Sequence, residues 1–353
     1  MNNTEFTPLL LDWYRHHARD LPWRRTRDPY CIWVSEIMLQ QTRVAAVIGY
    51  YTRFLDAFPT VDALADGSEE QLLSLWQGLG YYSRARNLHR AAREIKVRGG
   101  FPETYDELRA LPGIGAYTAG AIASAAFGLP TPAVDGNVLR VMSRLTDNHG
   151  DIQLPSTRRE IEAEVLRHFP ESPDDARIFN QALMELGATV CVPNAPPKCT
   201  QCPVSGYCLA RERGTAETLP VRAAKKARRV EARTVLVLCR ENRVALRKRP
   251  GRGLLAGLWE FPNADGVLSE ADVTALLSAW GLSPVDWYQK LSAKHIFTHI
   301  EWHMTGYIVS VTGDDTQQFS WADADALQTY AVPSAFARFR EAAAVQLSEA
   351  NNA

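Results

Sequence analysis

A chain of 353 residues with 46% apolar and 22% charged side chains has the composition of a folded globular protein and enough length for two domains, which excludes a disordered chain. Its formal net charge of −1 excludes a histone-like polycation, so a nucleic-acid surface has to be a local basic patch balanced by acid elsewhere.

The first twenty residues carry Glu5, Asp12, Arg15 and Arg19 where a secretory signal needs an apolar core. No signal is expected, and the expected compartment is the cytoplasm, at the nucleoid in a bacterium. From residue 1 to about 210 apolar positions recur at helical spacing. Trp33, Ile37, Val44, Val47, Ile48, Tyr51, Phe54, Leu55 and Phe58 read as one stripe, with Glu36, Gln40 and Arg43 on one facet beside it. Such a facet is ordinarily a solvated face with a local ion pair. A Glu at the edge of a buried stripe instead takes a raised pKa and acts as an acid near neutral pH.

Leu111-Pro-Gly-Ile-Gly115 falls between a helix ending near Leu108 and one entering at Tyr117. Gly113 and Gly115 let the backbone turn sharply and bring bare N–H groups to a helix N-terminus, where a phosphate is favoured; a tight turn without a ligand is the plain alternative. The uncharged run from Ala110 to Val134 is broken by Pro112, Gly113, Gly115, Pro130 and Pro132, so it reads as a turn plus a small-residue helix and not as a membrane span. Asp135-Gly-Asn-Val-Leu-Arg140 then sets a carboxylate just before a new helix, either as a cap or as a second catalytic group.

Four of the six cysteines, Cys191, Cys199, Cys202 and Cys208, share one window with the spacing C-x7-C-x2-C-x5-C. Four thiolates so close need a metal to offset their repulsion; an iron–sulfur cluster and a structural zinc both satisfy the spacing.

Between Glu217 and Arg233 the text turns basic, with Arg222, Lys225, Lys226, Arg228, Arg229 and Arg233 against Glu231, as in an exposed connector. After it come strand-like runs, TVLVLCR and RVALRKR around a turn at Glu241 and Asn242, then HIFTHIEWHMTGYIVSVT as a further β run. Helical stretches near 269–280 and 333–346 complete an α+β second domain.

Taken together, SEIMLQQT, GLGYYSRARNL, LPGIGAYTAGAI, VDGNVLRV and the four cysteines strongly resemble the adenine DNA glycosylase (MutY) family of the helix-hairpin-helix glycosylase superfamily, over nearly the whole chain. The resemblance implies a multidomain fold: an all-α helix-hairpin-helix glycosylase domain over 1–216, with the hairpin at 108–122 and an Fe–S loop at 191–208; a basic connector at 217–233; and an α+β Nudix-like domain at 234–346. It implies a [4Fe-4S] cluster on the four cysteines, although the first cysteine gap here is one residue longer than the family's six.

The implied activity is monofunctional hydrolysis of the N-glycosidic bond of adenine mispaired with 8-oxoguanine or guanine in double-stranded DNA, by a monomer without membrane attachment. The family's acid maps to Glu36 and its second carboxylate to Asp135, with Asn137 and Tyr117 in the catalytic set. Trp23, Arg24 and Gln181 map around the adenine pocket, and Gln41, Thr42, Leu79 and Tyr81 at the lesion. Phe297, Thr298 and His299 map to the loop that reads the opposite base, and Gly113 and Gly115 to the phosphate contact. Tyr117 stands where strand-cutting relatives carry a Schiff-base lysine. Gly257-Leu-Trp-Glu-Phe-Pro262 resembles the Nudix fold, but the stretch that follows lacks the carboxylate cluster that binds catalytic magnesium. The competing readings are an endonuclease III-like lyase, against which Tyr117 weighs, and a non-catalytic scaffold, against which Glu36 and Asp135 together weigh.

Overall fold

The computed structural model describes residues 5–223, 227–314 and 318–352, with the side chains of the last four of these left aside. Lys225 and Lys226 of the basic connector lie outside the described residues. Helices fill the first two thirds of the chain: α1 (Phe6–His17), α2 (Pro29–Leu39), α3 (Val44–Ala57), α4 (Val61–Asp66), α5 (Glu69–Leu75), α6 (Ser83–Arg98), α7 (Tyr105–Ala110), α8 (Ala116–Phe127), α9 (Gly136–Leu145), α10 (Pro155–Arg167), α11 (Pro173–Thr189) and α12 (Leu209–Glu212). Then come strands β1 (Arg229–Arg240), β2 (Arg243–Lys248), β3 (Trp259–Glu260) and β4 (Asn263–Asp265), helix α13 (Glu270–Ala279), strands β5 (Ser283–Ile296), β6 (Ile300–Thr312) and β7 (Ser320–Ala322), and helices α14 (Ala324–Thr329) and α15 (Ala337–Asn352).

The chain divides into two units, Met1–Gly67 with Arg86–Ala224 and Ser68–Ala85 with Lys225–Ala353. The sequence reading assigns 68–85 to the helical domain; in the structure this stretch groups with the C-terminal unit. Within that unit the Gln77 amide donates to the carbonyl of Val332 at 2.9 Å.

The helical unit is built around α1, α9 and α11. Leu10, Val138, Met142, Phe179 and Leu183 meet in one core, so the helix that begins at Asp135 is held from both sides. Asp28 caps α2 by accepting the Tyr30 N–H at 2.8 Å, and Pro29 starts the helix at a position where its missing N–H has no partner to lose. That helix ends at Leu39: Gln41 takes a left-handed φ of 62°, and Arg43 caps the separate helix α3. The single stripe expected from Trp33 to Phe58 is therefore two stripes on two helices, and Arg43 does not share a facet with Glu36. Periodicity runs through a short break unnoticed because Gln-Gln-Thr carries no Gly or Pro to mark it.

In the C-terminal unit the sheet runs β3-β2-β1-β6-β5, with β4 pairing β1 and β7 pairing β2. The central pair β1 and β6 is parallel, Val235 opposite Gly306, and the other pairings are antiparallel. Residues of β1 alternate between two cores: Val235 and Val237 pack with Trp302, Phe336 and Phe339, while Leu236 and Leu238 pack with Leu277, Tyr307 and Val309. A strand buried on both faces reads as a continuous apolar run, and TVLVL is one. β1 starts at Arg229, inside the span read as connector, because its first residues pair with β6. The run from His295 to Thr312 is two strands, since Phe297–His299 turns between β5 and β6. Glu241 and Asn242, with φ of 49° and 57°, make the hairpin turn expected there.

Candidate active site

A cleft of about 450 Å³ opens in the helical unit between α2, α8, α9 and α11. Its lining includes Trp23, Arg24, Glu36, Gln41, Thr42, Tyr117, Asp135, Asn137 and Gln181, so nine of the residues singled out from the sequence come together.

Glu36, on the third turn of α2, accepts a hydrogen bond at Oε2 from the hydroxyl of Tyr117, 2.6 Å away on the first turn of α8. Burial pushes its carboxyl up to about 7; the Tyr117 hydrogen bond opposes this, and the Asp135 charge adds to it. Near neutral pH the acid and its conjugate base are both populated. Burial also raises the Tyr117 phenol far above its usual range, so Tyr117 keeps its proton and donates it to Glu36.

Asp135 is an N-cap as well as a cleft residue. Oδ1 accepts the N–H groups of Asn137 and Val138, each at 2.8 Å, and Oδ2 accepts the Asn137 side-chain amide at 2.7 Å. Burial raises its pKa and those three bonds oppose the rise, which holds the carboxylate in one orientation. Asn137 is fixed in turn by Arg140, whose Nη2 donates to Asn137 Oδ1 at 3.0 Å and to Gly187 O at 2.7 Å. Gly187 has to be glycine: a Cβ there would stand 2.7 Å from Asn137 Cβ, so α11 closes on the start of α9 only without a side chain.

Sequence reasoning missed a clamp on the cleft wall. Glu185, its side chain fully buried, accepts from Arg19 Nε at 2.7 Å, Arg19 Nη2 at 2.8 Å and Arg24 Nη2 at 2.7 Å. Burial pushes that carboxyl up, but the two arginines outweigh it and hold it below the usual range, hence ionised. Arg24 also lies 5.5 Å over the Tyr14 ring, and the Tyr14 hydroxyl donates to Gln181 Oε1 at 2.7 Å. The partners are more than 160 residues apart, and the only signal was a Glu inside an apolar helix stretch, ALMELGA. Trp23 is buried edge-on to Tyr51 at 5.4 Å, while Gln41 projects from its left-handed position, exposed.

The hairpin uses its two glycines differently. Gly113 has a φ of 77°, and a Cβ on it would meet Asn87 Cβ at 2.6 Å, so the turn requires it. Gly115 is extended, with φ −87°, caps α8 without a side chain, and would place a Cβ in open space. The sharp turn belongs to Gly113 alone; Gly115 leaves the helix N-terminus bare.

The four cysteines line one cavity, with Arg144 reaching in. Burial pushes the Cys202 thiol up to about 12, and the other three cysteines add to the rise. Arg144 Nη1 lies 3.2 Å from Cys191 Sγ, and Arg140 Nε donates to Cys191 O at 2.8 Å. Among the described residues no three ligand-type side chains meet tightly enough for a single metal ion. Within the first cysteine gap Lys198 N donates to Val190 O at 3.0 Å, and Asn194 takes a left-handed φ of 57°.

In the C-terminal unit Tyr81 and Thr298 are exposed and share a hydroxyl–hydroxyl hydrogen bond of 2.8 Å. Phe297 is half-buried and His299 exposed. Leu79, expected at the lesion, is buried, and Arg84 Nη2 donates to the Leu79 and Gly80 carbonyls at 3.1 and 3.2 Å. Glu260, in the Nudix-like stretch, is buried and held by Arg247, Arg249 and the Asn263 amide, and Asp272 closes a capping box with Ser269 on α13.

Residues 34–171 match the family described as HhH-GPD superfamily base excision DNA repair protein, and residues 233–342 match the NUDIX domain. Over 88% of its length the chain is 38% identical to the adenine DNA glycosylase of Homo sapiens, covering 68% of that protein. It is 34% identical over 87% of its length to the adenine DNA glycosylase of Buchnera aphidicola subsp. Baizongia pistaciae, covering 86% of it. Among solved structures a thermostable thymine-DNA glycosylase aligns with a TM-score of 0.54 at 28% identity, over 60% of this chain and 97% of that one.

Proposed function

The chain belongs to the adenine DNA glycosylase family, an enzyme of base excision repair, and from that premise we propose how its cleft cuts the N-glycosidic bond of adenine opposite 8-oxoguanine or guanine. The observation that carries the reading is the Tyr117–Glu36 pair facing the same cleft as the capped Asp135.

Adenine stacked in a duplex is out of reach, so the nucleotide is swung into the cleft at a cost of about a few kcal/mol. There Arg24, held in place by the buried, ionised Glu185 carboxylate, offers a donor to a ring nitrogen. Adenine leaves poorly until a ring nitrogen is protonated. Glu36, protonated in part at neutral pH, gives its proton to N7 while Tyr117 holds the other end of the pair in place. As the C1′–N9 bond breaks, positive charge grows on the sugar, and Asp135, fixed by three hydrogen bonds, stabilises it before water adds at C1′ and gives its surplus proton to the Glu36 carboxylate.

No lysine lines the cleft among the described residues, and Tyr117 has no amine for a Schiff base, so the proposed product is an intact strand with an abasic site. Gln41 and Tyr81, both exposed at positive φ, are the wedges proposed to fill the gap, and the Gly115 N-terminus of α8 holds a phosphate. The turn at Phe297, Thr298 and His299 reads the base opposite adenine.

The four cysteines, soft donors ringing one cavity with a guanidinium beside them, fit a [4Fe-4S] cluster better than a zinc ion, whose four sulfurs crowd at about 2.3 Å from one centre. When bound, the cluster supplies a crosslink that fixes the loop 191–208 against α9. A monomer suffices, because one helical unit supplies the whole cleft. The DNA substrate sets the compartment as cytoplasmic in a bacterium; no helix among the described residues is long and apolar enough to cross a membrane.

The test is product analysis. A duplex carrying adenine opposite 8-oxoguanine releases free adenine and leaves a strand that breaks only after alkali; a strand nicked without alkali contradicts the monofunctional reading.

A further inference from the structure

The turn between β5 and β6 is closed by backbone bonds on both sides. Phe297 N donates to Ile300 O at 2.8 Å, and Arg229 N, at the start of β1, donates to His299 O at 3.1 Å. Those bonds fix the path of the chain but not the Phe297 ring, which is free to change rotamer unless its neighbours stop it. Two aromatic rings do so: His295 stands edge-on at 4.5 Å and Trp302 edge-on at 4.9 Å.

Trp302 is itself held on several sides. It is fully buried, its indole N–H donates to Glu231 Oε2 at 3.0 Å, and the Arg233 guanidinium lies 4.4 Å over its face. Phe336 packs against it at 6.1 Å. Glu231 also pairs with Arg229, the residue whose N–H anchors His299, and with Arg233. One carboxylate thus ties the strand that holds one end of the turn to the indole against which the Phe297 ring rests.

Resting on the reading of this turn as the part that recognises the base opposite adenine, we infer that Glu231 and Trp302 are positioning residues for that recognition: the Glu231-held indole fixes the Phe297 ring and so sets the preference for 8-oxoguanine over guanine. The two bases differ by one ring N–H and one oxygen, a difference that a wedge misplaced by about 0.5 Å no longer resolves. The chemistry of excision belongs to Glu36 and Asp135 in the other unit, so loosening the turn lowers preference and leaves the excision step itself unchanged.

The experiment uses the full chain in single-turnover excision from duplexes with adenine opposite 8-oxoguanine or guanine, reading the excision rate at saturating protein and the dissociation constant separately. Phe297→Ala reduces the 8-oxoguanine preference. Glu231→Ala reduces it by about fivefold, with the rate from the saturated guanine duplex within about twofold of the parent. Glu231→Gln keeps an oxygen for the indole N–H and recovers most of the loss. In the Phe297→Ala background Glu231→Ala adds nothing, because it acts through the missing ring. Glu231 lies outside the buried core, and thermal melts check that each variant is folded.

A Glu231→Ala protein with the parent's preference, where Phe297→Ala has lost it, overturns the positioning role and leaves the reading of the turn standing. Two losses that multiply in the double variant, or a Glu231→Gln protein as poor as Glu231→Ala, overturn it as well. A Phe297→Ala protein with full preference overturns the reading of the turn, and this inference with it.

Discussion

The Tyr117 hydroxyl and the Glu36 carboxylate, 81 residues apart in sequence, form a 2.6 Å hydrogen bond at the mouth of α8. The bond favours the ionised carboxylate and so holds down a pKa that burial has raised to about 7. Replacing Tyr117 by Phe removes that restraint. The pH at which excision falls off on the alkaline side then moves upward, because Glu36 keeps its proton to higher pH, while the maximal rate drops by about tenfold as the acid loses its orientation. A single-turnover pH–rate profile of Tyr117→Phe checks both; an alkaline limb that moves down contradicts the assignment.

The same raised pKa affects stability. A folded-state pKa above the unfolded value means the folded protein holds the proton more tightly, so this group's contribution is present below about pH 4.5 and is lost as pH rises through about 7. Glu36→Gln, neutral at every pH, is therefore expected to raise the melting temperature relative to the parent at pH 8, on the order of 3 °C, and to change it little at pH 5. Thermal melts at the two pH values decide it, and an equal shift at both pH values contradicts the burial argument.

The hairpin glycines separate folding from binding. Gly113→Ala meets both a left-handed φ and the Asn87 side chain, so it lowers the melting temperature clearly. Gly115→Ala meets nothing in the protein, so it is expected to fold as the parent does and, on the proposed phosphate contact, to bind duplex about tenfold more weakly. Melting curves and duplex titrations of the two variants are the check; a Gly115→Ala protein of full affinity removes the hairpin from the DNA contact.

Gly187 and Arg140 hold Asn137 from two sides. Gly187→Ala displaces Asn137 and with it the Asp135 carboxylate, and is expected to cost about 2 kcal/mol of stability and about tenfold in excision rate. Arg140→Met also frees the carbonyl of Cys191, so its purified protein carries less iron than the parent. Urea unfolding, single-turnover rates and iron analysis test these; an Arg140→Met protein with full iron content and full rate dissociates the cysteine loop from the Asp135 end of α9.

What was legible in the sequence and what was not divides along physical lines. Glu36, Asp135, the hairpin and the cysteine window could be singled out as candidates because each sits in a local pattern: a carboxylate at the edge of an apolar stripe, an Asp before a helix, paired glycines, closely spaced thiols; their roles came from the resemblance. The Arg19–Glu185–Arg24 clamp was not, because nothing local announces an ion pair between the loop after α1 and a helix more than 160 residues on. The break at Gln41 was read through, and the turn at Phe297–His299 was reached only through the family resemblance, because neither contains the Gly or Pro that usually marks a change of direction. The grouping of residues 68–85 with the C-terminal unit is a tertiary fact with no helical or strand signature.

The central claim is that Glu36 gives its proton to the flipped adenine. Glu36→Gln keeps the shape of the side chain and can still accept a hydrogen bond from Tyr117, but it has no carboxylic proton to give. Single-turnover excision of adenine opposite 8-oxoguanine by that variant, with duplex affinity measured in parallel, tests the claim most directly. The account predicts binding within a few-fold of the parent and excision slower by about a thousandfold or more; a variant that binds and excises at the parent's rate contradicts it.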